Sequence, residues 1–278
     1  MRGTNTLLIG ATGTGKTYVQ RTWIDKGITP FILTTEPGIE SSLGDLPKES
    51  CHWHYVAPAN VGWADLLESA KKINQLSYEA LAKAPAGNKQ KYGQFLDVLT
   101  TCNRFICDRT GEDFGDVSTW GTDRVLVVDS LSGLNIMAMD LVVGSKPTKG
   151  MQDWMVAMDN LERFLTTLVM NTECFFVLTA HPEREQDEIT GGVQIMASTL
   201  GRKVAPRLPR FFDDVIYTRR DGDKFSWSTA AVNVDLKARN LPIKDGLAPD
   251  FAQIVTAWES KGGVIAKQPE AVESVQPG

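Results

Sequence analysis

Gly10, Gly15, Lys16 and Thr17 stand in the order G-x-x-x-x-G-K-T within "LLIGATGTGKTYVQ". That spacing suits a nucleoside triphosphate. Backbone N–H groups wrap the phosphates, glycines let the anion crowd the chain, the lysine approaches the terminal phosphates and the hydroxyl meets Mg²⁺. The expected nucleotide-binding residues are Gly10, Ala11, Thr12, Gly13, Thr14, Gly15, Lys16, Thr17 and the adjoining Tyr18. Two acids complement this loop. Asp129 closes the apolar run "RVLVVD" and is expected to bind Mg²⁺ with Thr17, its own contact running through a water. Glu36 closes "FILTTE" and is placed to orient an attacking water, with a helix cap ahead of Pro37 as the competing reading.

These residues need strands and helices that bring them to one edge. "NTLLIG" reads as a strand running into the glycine loop, and "KTYVQRTWIDKG" as a helix with Val19, Trp23 and Ile24 at helical spacing before a glycine stop. "PFILTTE" and "ESCHWHYVAP" read as the next two strands, and alternation with helices points to a parallel sheet. Asn60 is placed to cap a helix whose Trp63, Leu66, Leu67, Ala70, Ile73 and Leu81 form an expected packing face, and a further helix is expected from about Gln90 to Phe105. "RVLVVDS" and "CFFVLTAH" read as buried central strands, separated by a helix from about Gln152 to Met170 with Trp154, Met158, Leu161, Leu165 and Leu168 along its core stripe. A long polar loop from Pro182 to Pro209 follows. "DDVIYTRR", the turn "DGD" and "KFSWSTAAVNVDLKAR" then read as a hairpin and extra antiparallel strands at the sheet edge.

The 278 residues, 42% hydrophobic, fit one domain, taken as 1–260, with 261–278 as a flexible tail in which periodicity gives way to Gly, Pro, Gln and Glu. No window approaches eighteen apolar residues and the first residues lack a signal-peptide layout, so the expected location is cytoplasmic. Cys51, Cys102, Cys107 and Cys174 are too scattered for a disulfide framework. The nearest approach to a zinc pattern, "CHWH" with Cys102 and Cys107, has poor ligand spacing.

Taken together, the P-loop, the Glu after the second strand, "VLVVDS" and the terminal antiparallel strands resemble the RecA superfamily of ATPases over roughly Asn5 to Trp258. "TTEPG", "VVDSLSGL", "LTAHPE", "DDVIYTRR" and "LKARNLP" look like the compact bacteriophage members, including single-strand annealing ATPases of the Sak type. The resemblance implies an α/β P-loop core, a mostly parallel central sheet with helices on both faces, and ATP with Mg²⁺ as cofactors. It implies that His181 is the polar switch residue beside the terminal phosphate. It also implies that Lys237 and Arg239, a K-x-R pair facing one way on a strand, reach a neighbouring subunit's ATP in a homo-oligomer. An exposed basic edge strand is the alternative reading of that pair. The first strand begins by about Thr6, ahead of which RecA carries a subunit-linking segment, so filament and ring both remain open.

A net charge of −5 argues against a wholly basic, constitutive nucleic-acid binder, but local patches remain. Arg202, Lys203, Arg207 and Arg210 form the densest basic cluster, in the long segment after His181, and Lys146 and Lys149 lie in "VVGSKPTKG". Single-stranded DNA held along aligned subunits is the expected target, with a solvated basic loop as the plain alternative. The expected function is an ATP-hydrolysing, single-strand-binding recombination or annealing protein. The rivals are a loading or assembly factor that grips a helicase or single-strand-binding protein and, less well matched, a P-loop small-molecule kinase.

Overall fold

A computed structural model describes residues 1–59, 62–84, 89–186, 192–231 and 233–267, without the side chains of 89–90 and 202–203. Five parallel strands, β1 (Asn5–Ile9), β2 (Thr29–Thr34), β3 (His52–Tyr55), β4 (Arg124–Asp129) and β5 (Phe175–Ala180), supply most of the main sheet. A ribbon of β6 (Pro182–Gln186) and β7 (Val193–Ala197) stands apart, and β8 (Asp214–Asp221) and β9 (Lys224–Ser228) complete the seven-stranded order β3-β2-β4-β5-β1-β8-β9. β8 runs parallel to β1 and only β9 returns antiparallel, so one strand of the expected antiparallel pair belongs to the parallel set.

The apolar runs of β1, β4 and β5 are buried on both faces, as a covered parallel sheet requires. Alternate side chains divide into two cores. Leu7, Ile9, Leu126, Val128, Phe176 and Leu178 pack with α4 (Gln94–Asn103), α5 (Leu131–Val143) and α6 (Met151–Asn171). Leu8, Val125, Val127, Phe175 and Val177 pack with Trp23, with Ile39 and Leu43 of α1 (Ile39–Leu43), and with Ile254 and Trp258 of α8 (Ala252–Ser260). The helix after the phosphate loop, Tyr18–Lys26, is wound as a 3₁₀ helix and is anchored by Trp23, whose ring stacks on Phe251 at 4.4 Å. Gly27 ends it at φ 70°, donating its N–H to the Ile24 carbonyl.

Three sequence expectations are corrected. The helix α2 (Trp63–Gln75) has no buried residue: Trp63 is 88% exposed, and Leu66, Leu67, Ala70 and Ile73 also face outward. Its apolar periodicity is real, but among the described residues nothing covers that face, and the same holds for Tyr78 on the short α3 (Tyr78–Lys83). The expected loop after His181 is the β6–β7 ribbon followed by α7 (Gly201–Val204) and a 3₁₀ stretch, Ala205–Phe211. Trp154 is exposed rather than part of the core stripe, and lies beside Lys149. Asn60 falls outside the described residues. So does 268–278 of the expected tail, whereas Val264 and Ala266 hydrogen-bond to Thr122.

Asp214 fixes the end of the main sheet away from the phosphate loop. Its fully buried carboxylate accepts from the Arg239 and Asn240 backbone N–H groups and from Asn240 Nδ2. The "LKARN" segment is thereby clamped to the amino end of β8, where Lys237 pairs with Val215.

His52 is 4% exposed, lies 4.8 Å from the Phe31 ring and 4.4 Å from that of Phe114, and has its pKa pushed down to about 4 by burial and by Arg109. Between the ordinary value of 6.5 and about 4 the unfolded chain takes up a proton that the folded chain refuses, so stability falls as pH drops through that window. The full window is worth about 3 kcal/mol at most. His52→Phe is expected to flatten the stability loss between pH 6.5 and 4.5 in urea melts; an unchanged slope would remove His52 as its source.

Candidate functional site

Parallel register brings four strand ends to one rim. Ile9 lies beside Ala180 and Thr34 beside Asp129, so the phosphate loop, Glu36, Asp129 and His181 all emerge at the carboxyl ends of their strands. In this fold class ligands bind at that edge.

Asp129, 6% exposed, accepts from Thr17 Oγ1 on one carboxylate oxygen and from Thr179 Oγ1 on the other, both at 2.5 Å. Lys16, 7% exposed, donates from Nζ to the carbonyls of Gly10 at 2.7 Å and Ala11 at 3.1 Å. Burial lowers the Lys16 pKa, and the charges of Asp129 and Glu36 oppose that shift. Glu36 Oε1 accepts from Ser130 Oγ and lies 3.4 Å from His181 Nε2. The loop itself needs its glycines: Gly13 and Gly15 have φ of 78° and 84°, and a Cβ on Gly10 would overlap the Thr218 hydroxyl of β8.

The Thr17 hydroxyl and Asp129 carboxylate are adjacent hard oxygen donors of the kind Mg²⁺ takes. Bound there with nucleotide, the ion would neutralise charge on the β- and γ-phosphate oxygens. By contrast, no cluster of three metal-ligating side chains occurs among the described residues. Burial raises the Cys51, Cys102 and Cys174 thiols to about 12, and Cys51, His52 and Trp53 are packed in the core, while half-buried His54 lies 3.0 Å from Asp108.

Other candidates lie elsewhere. Lys237 donates to the Phe212 carbonyl at 2.6 Å and Arg239 to Asp213 at 2.9 Å, at the amino-terminal rim of the sheet and so away from this chain's own phosphate loop. Burial, followed by the Arg239 charge, lowers the Lys237 pKa. Lys146 is paired with Asp153 at 3.2 Å, and Lys149 lies 5.8 Å from the Trp154 ring. Arg207 and Arg210 share Glu162 of α6 at 3.8 and 2.5 Å, while the side chains of Arg202 and Lys203 are outside the description. Sequence reasoning passed over Ser130, Thr179 and Thr218. The first two carried a signal, since each is a hydroxyl residue beside a strand-end candidate, in "VVDS" and "LTAH".

A family model described as an AAA domain matches residues 2–240. The chain belongs to the AAA domain family. This AAA domain is a P-loop ATPase, and the matched span holds every strand of the sheet while ending before α8. Its fold is similar to that of an ATPase of the type III secretion system of pathogenic bacteria, with 13% identity, 79% of this chain and 52% of that one covered, and a TM-score of 0.42. It is also similar to the assembled type III secretion ATPase EscN of enteropathogenic E. coli, with 12% identity, 78% and 43% coverage and a TM-score of 0.39. For the pCW3 conjugation coupling protein TcpA the values are 11%, 94% and 65%, and 0.36. The chain spans about half the length of the first two. No curated protein matches it. No helix among the described residues is long and apolar enough to cross a membrane.

Thr179→Val keeps the shape of its side chain but removes the hydroxyl that holds Asp129. It is expected to raise the Mg²⁺ needed for half-maximal ATP hydrolysis and to lower kcat/KM about 10- to 100-fold, the usual scale for a group supporting a metal ligand. A Mg²⁺ titration identical to wild type would make this hydroxyl a packing group only.

Proposed function

We propose that this AAA domain hydrolyses Mg-ATP as a single-stranded-DNA recombination or annealing ATPase, akin to the bacteriophage Sak-type proteins it resembles. Lys16 and the loop amides hold the phosphates, and Thr17 with Asp129 holds Mg²⁺. Glu36 positions the attacking water and His181 reports the terminal phosphate. The observation that carries this reading is the sharing of Glu36 by Ser130 and His181, because His181 is followed directly by β6. A Glu36 carboxylate drawn toward water and γ-phosphate would let go of the imidazole, so hydrolysis would be felt at the base of the β6–β7 ribbon.

Lys237 and Arg239 lie at the rim opposite their own phosphate loop, so within this reading they serve a neighbour's nucleotide. A donor rim meeting an acceptor rim is a head-to-tail contact, which repeats into a ring or a filament. The DNA contacts are assigned to Lys146, Lys149, Arg202, Lys203, Arg207 and Arg210. Those with described ion pairs hold partners that are at least partly exposed. Such pairs are worth roughly 0–1 kcal/mol, and DNA phosphates can replace them.

A second reading has its own support. The uncovered apolar face of α2 suits a loading or assembly factor that grips a protein partner, such as a helicase or single-strand-binding protein. ATP turnover measured with and without single-stranded DNA, beside mass measured with and without ATP, separates the two. The recombinase reading expects DNA to raise turnover several-fold and ATP to raise the mass. DNA-indifferent turnover by a constant monomer would defeat it.

Glu36→Gln is expected to keep ATP binding and lose at least about 100-fold in hydrolysis, the scale of general base catalysis. Normal turnover would strip Glu36 of this role. Lys237→Ala should likewise lose hydrolysis and regain part of it on mixing with Lys16→Ala, since mixed interfaces restore one intact site. Failure of that rescue would exclude action across subunits.

A further inference from the structure

Beside the phosphate loop, on the side away from Glu36 and Asp129, lies a pocket of about 240 Å³. Gly15, Tyr18, Val19, Thr22, Phe225 and Pro249 line it. The strand order explains its position. Asp129 on β4 and Glu36 after β2 flank β1 on one side across β5, whereas β8 and β9 flank it on the other. A triphosphate whose terminal phosphate faces those acids therefore extends toward the β8–β9 hairpin. The volume falls below the roughly 300–1,000 Å³ of sites that enclose drug-sized ligands, and so suits a single planar ring system.

Two aromatic side chains stand out at this place. Tyr18 is 56% exposed and Phe225 is 43% exposed, an exposure they share among the described aromatic residues with Trp63, Tyr78 and Trp154, none of which lies near the phosphate loop, whereas the remaining large rings sit largely in the core. The Phe225 ring lies over the loop so closely that a Cβ on Gly15 would sit 3.3 Å from it. Arg21 covers Tyr18 from 3.9 Å.

Most polar side-chain atoms of the lining are occupied; Arg21 Nε is buried without a partner among the described residues, and the Tyr18 hydroxyl lies in the plane of a stacking ring and so meets a base's face rather than its edge. Thr14 Oγ1 donates to the Ala11 carbonyl and pairs with Thr218. Thr22 Oγ1 donates to the Val19 carbonyl and accepts from the Phe251 N–H. The Arg21 guanidinium is bound to both oxygens of Asp45 and to the Ser42 carbonyl. Arg220 lies 5.2 Å from the Phe225 ring, outside the lining, with Nε on the Gly222 carbonyl.

We infer that Tyr18, Phe225 and Pro249 form the seat of the nucleobase, and that this seat grips either purine by its ring faces without reading its hydrogen-bonding edge. The inference rests on the ATPase reading and adds a specificity to it: GTP is a substrate alongside ATP. Discrimination by a factor of 10⁴ or more needs buried polar groups matched to the substrate's own, whereas stacking is tolerant of base identity.

The test compares kcat/KM for ATP and GTP, with calorimetric binding of ADP and GDP run alongside. The expected result is a wild-type ATP/GTP ratio within about threefold. Phe225→Ala should raise KM for both purines about tenfold, acting on KM rather than kcat, and Phe225→Trp should restore it. Thermal melting checks that each variant is folded. An ATP/GTP ratio above about 100 would overturn the inference, as would a Phe225→Ala variant with wild-type affinity for both diphosphates. A strong preference for GTP would also overturn it and would make Arg220 an edge reader. If no nucleotide is hydrolysed the ATPase reading fails, while the diphosphate affinities still decide whether the seat is indifferent to the base.

Discussion

The carboxylate of Asp129 holds the site together because it bonds to hydroxyls from two other parts of the chain at once. Thr17 closes the phosphate loop after β1, and Thr179 sits on β5, the strand between β1 and β4. A buried charge is tolerable only when paired or hydrogen-bonded, and here the same bonds that satisfy it also lock three strand ends in register. The register matters to a single residue, since a slip by one would turn Asp129 and Thr179 to opposite faces. The apolar alternation that fills the two cores is therefore also what aims the carboxylate.

The molecule is polar in the directional sense. Its phosphate loop and acids occupy the carboxyl ends of the strands, and its K-x-R pair occupies the amino ends, fixed there by the buried Asp214 and by Asp213. Held on backbone and carboxylate partners, these cations are presented at a defined place, which under the proposed function would lower the ordering cost of meeting another copy's phosphates. The same separation excludes their action on this chain's own nucleotide.

What could be read from sequence was whatever is local. The phosphate loop, the strand-end acids and His181 each follow an apolar run, and a strand's end fixes which rim its last residue reaches. The fate of α2 could not be read: spacing of Trp63, Leu66, Leu67 and Ile73 announces an apolar face but not whether anything packs on it. The basic cluster after His181 was legible as charge and not as pairing, because Glu162, which holds Arg207 and Arg210, comes from α6, 48 residues before Arg210. The β6–β7 ribbon was missed because "PEREQ" and "VQIMA" pair with each other across a connection and leave the main sheet without them.

The two acids of the site differ in a way that fits the work proposed for them. Asp129 is buried and bonded on both oxygens, and nothing short of separating β1 from β5 would free it. Its carboxylate is a fixed part of the site, which suits the ion-holding role proposed for it. The Glu36 side chain is 45% exposed, follows its strand on two residues of irregular chain, and is held by a hydroxyl and an imidazole. Those partners can release it at small cost, since solvent replaces them. A base has to change partners during its reaction, first gripping water and then accepting its proton. Of the two carboxylates, Glu36 is the one whose contacts fit the proposed base, and the imidazole it would leave behind is the first atom group of the chain leading into the ribbon.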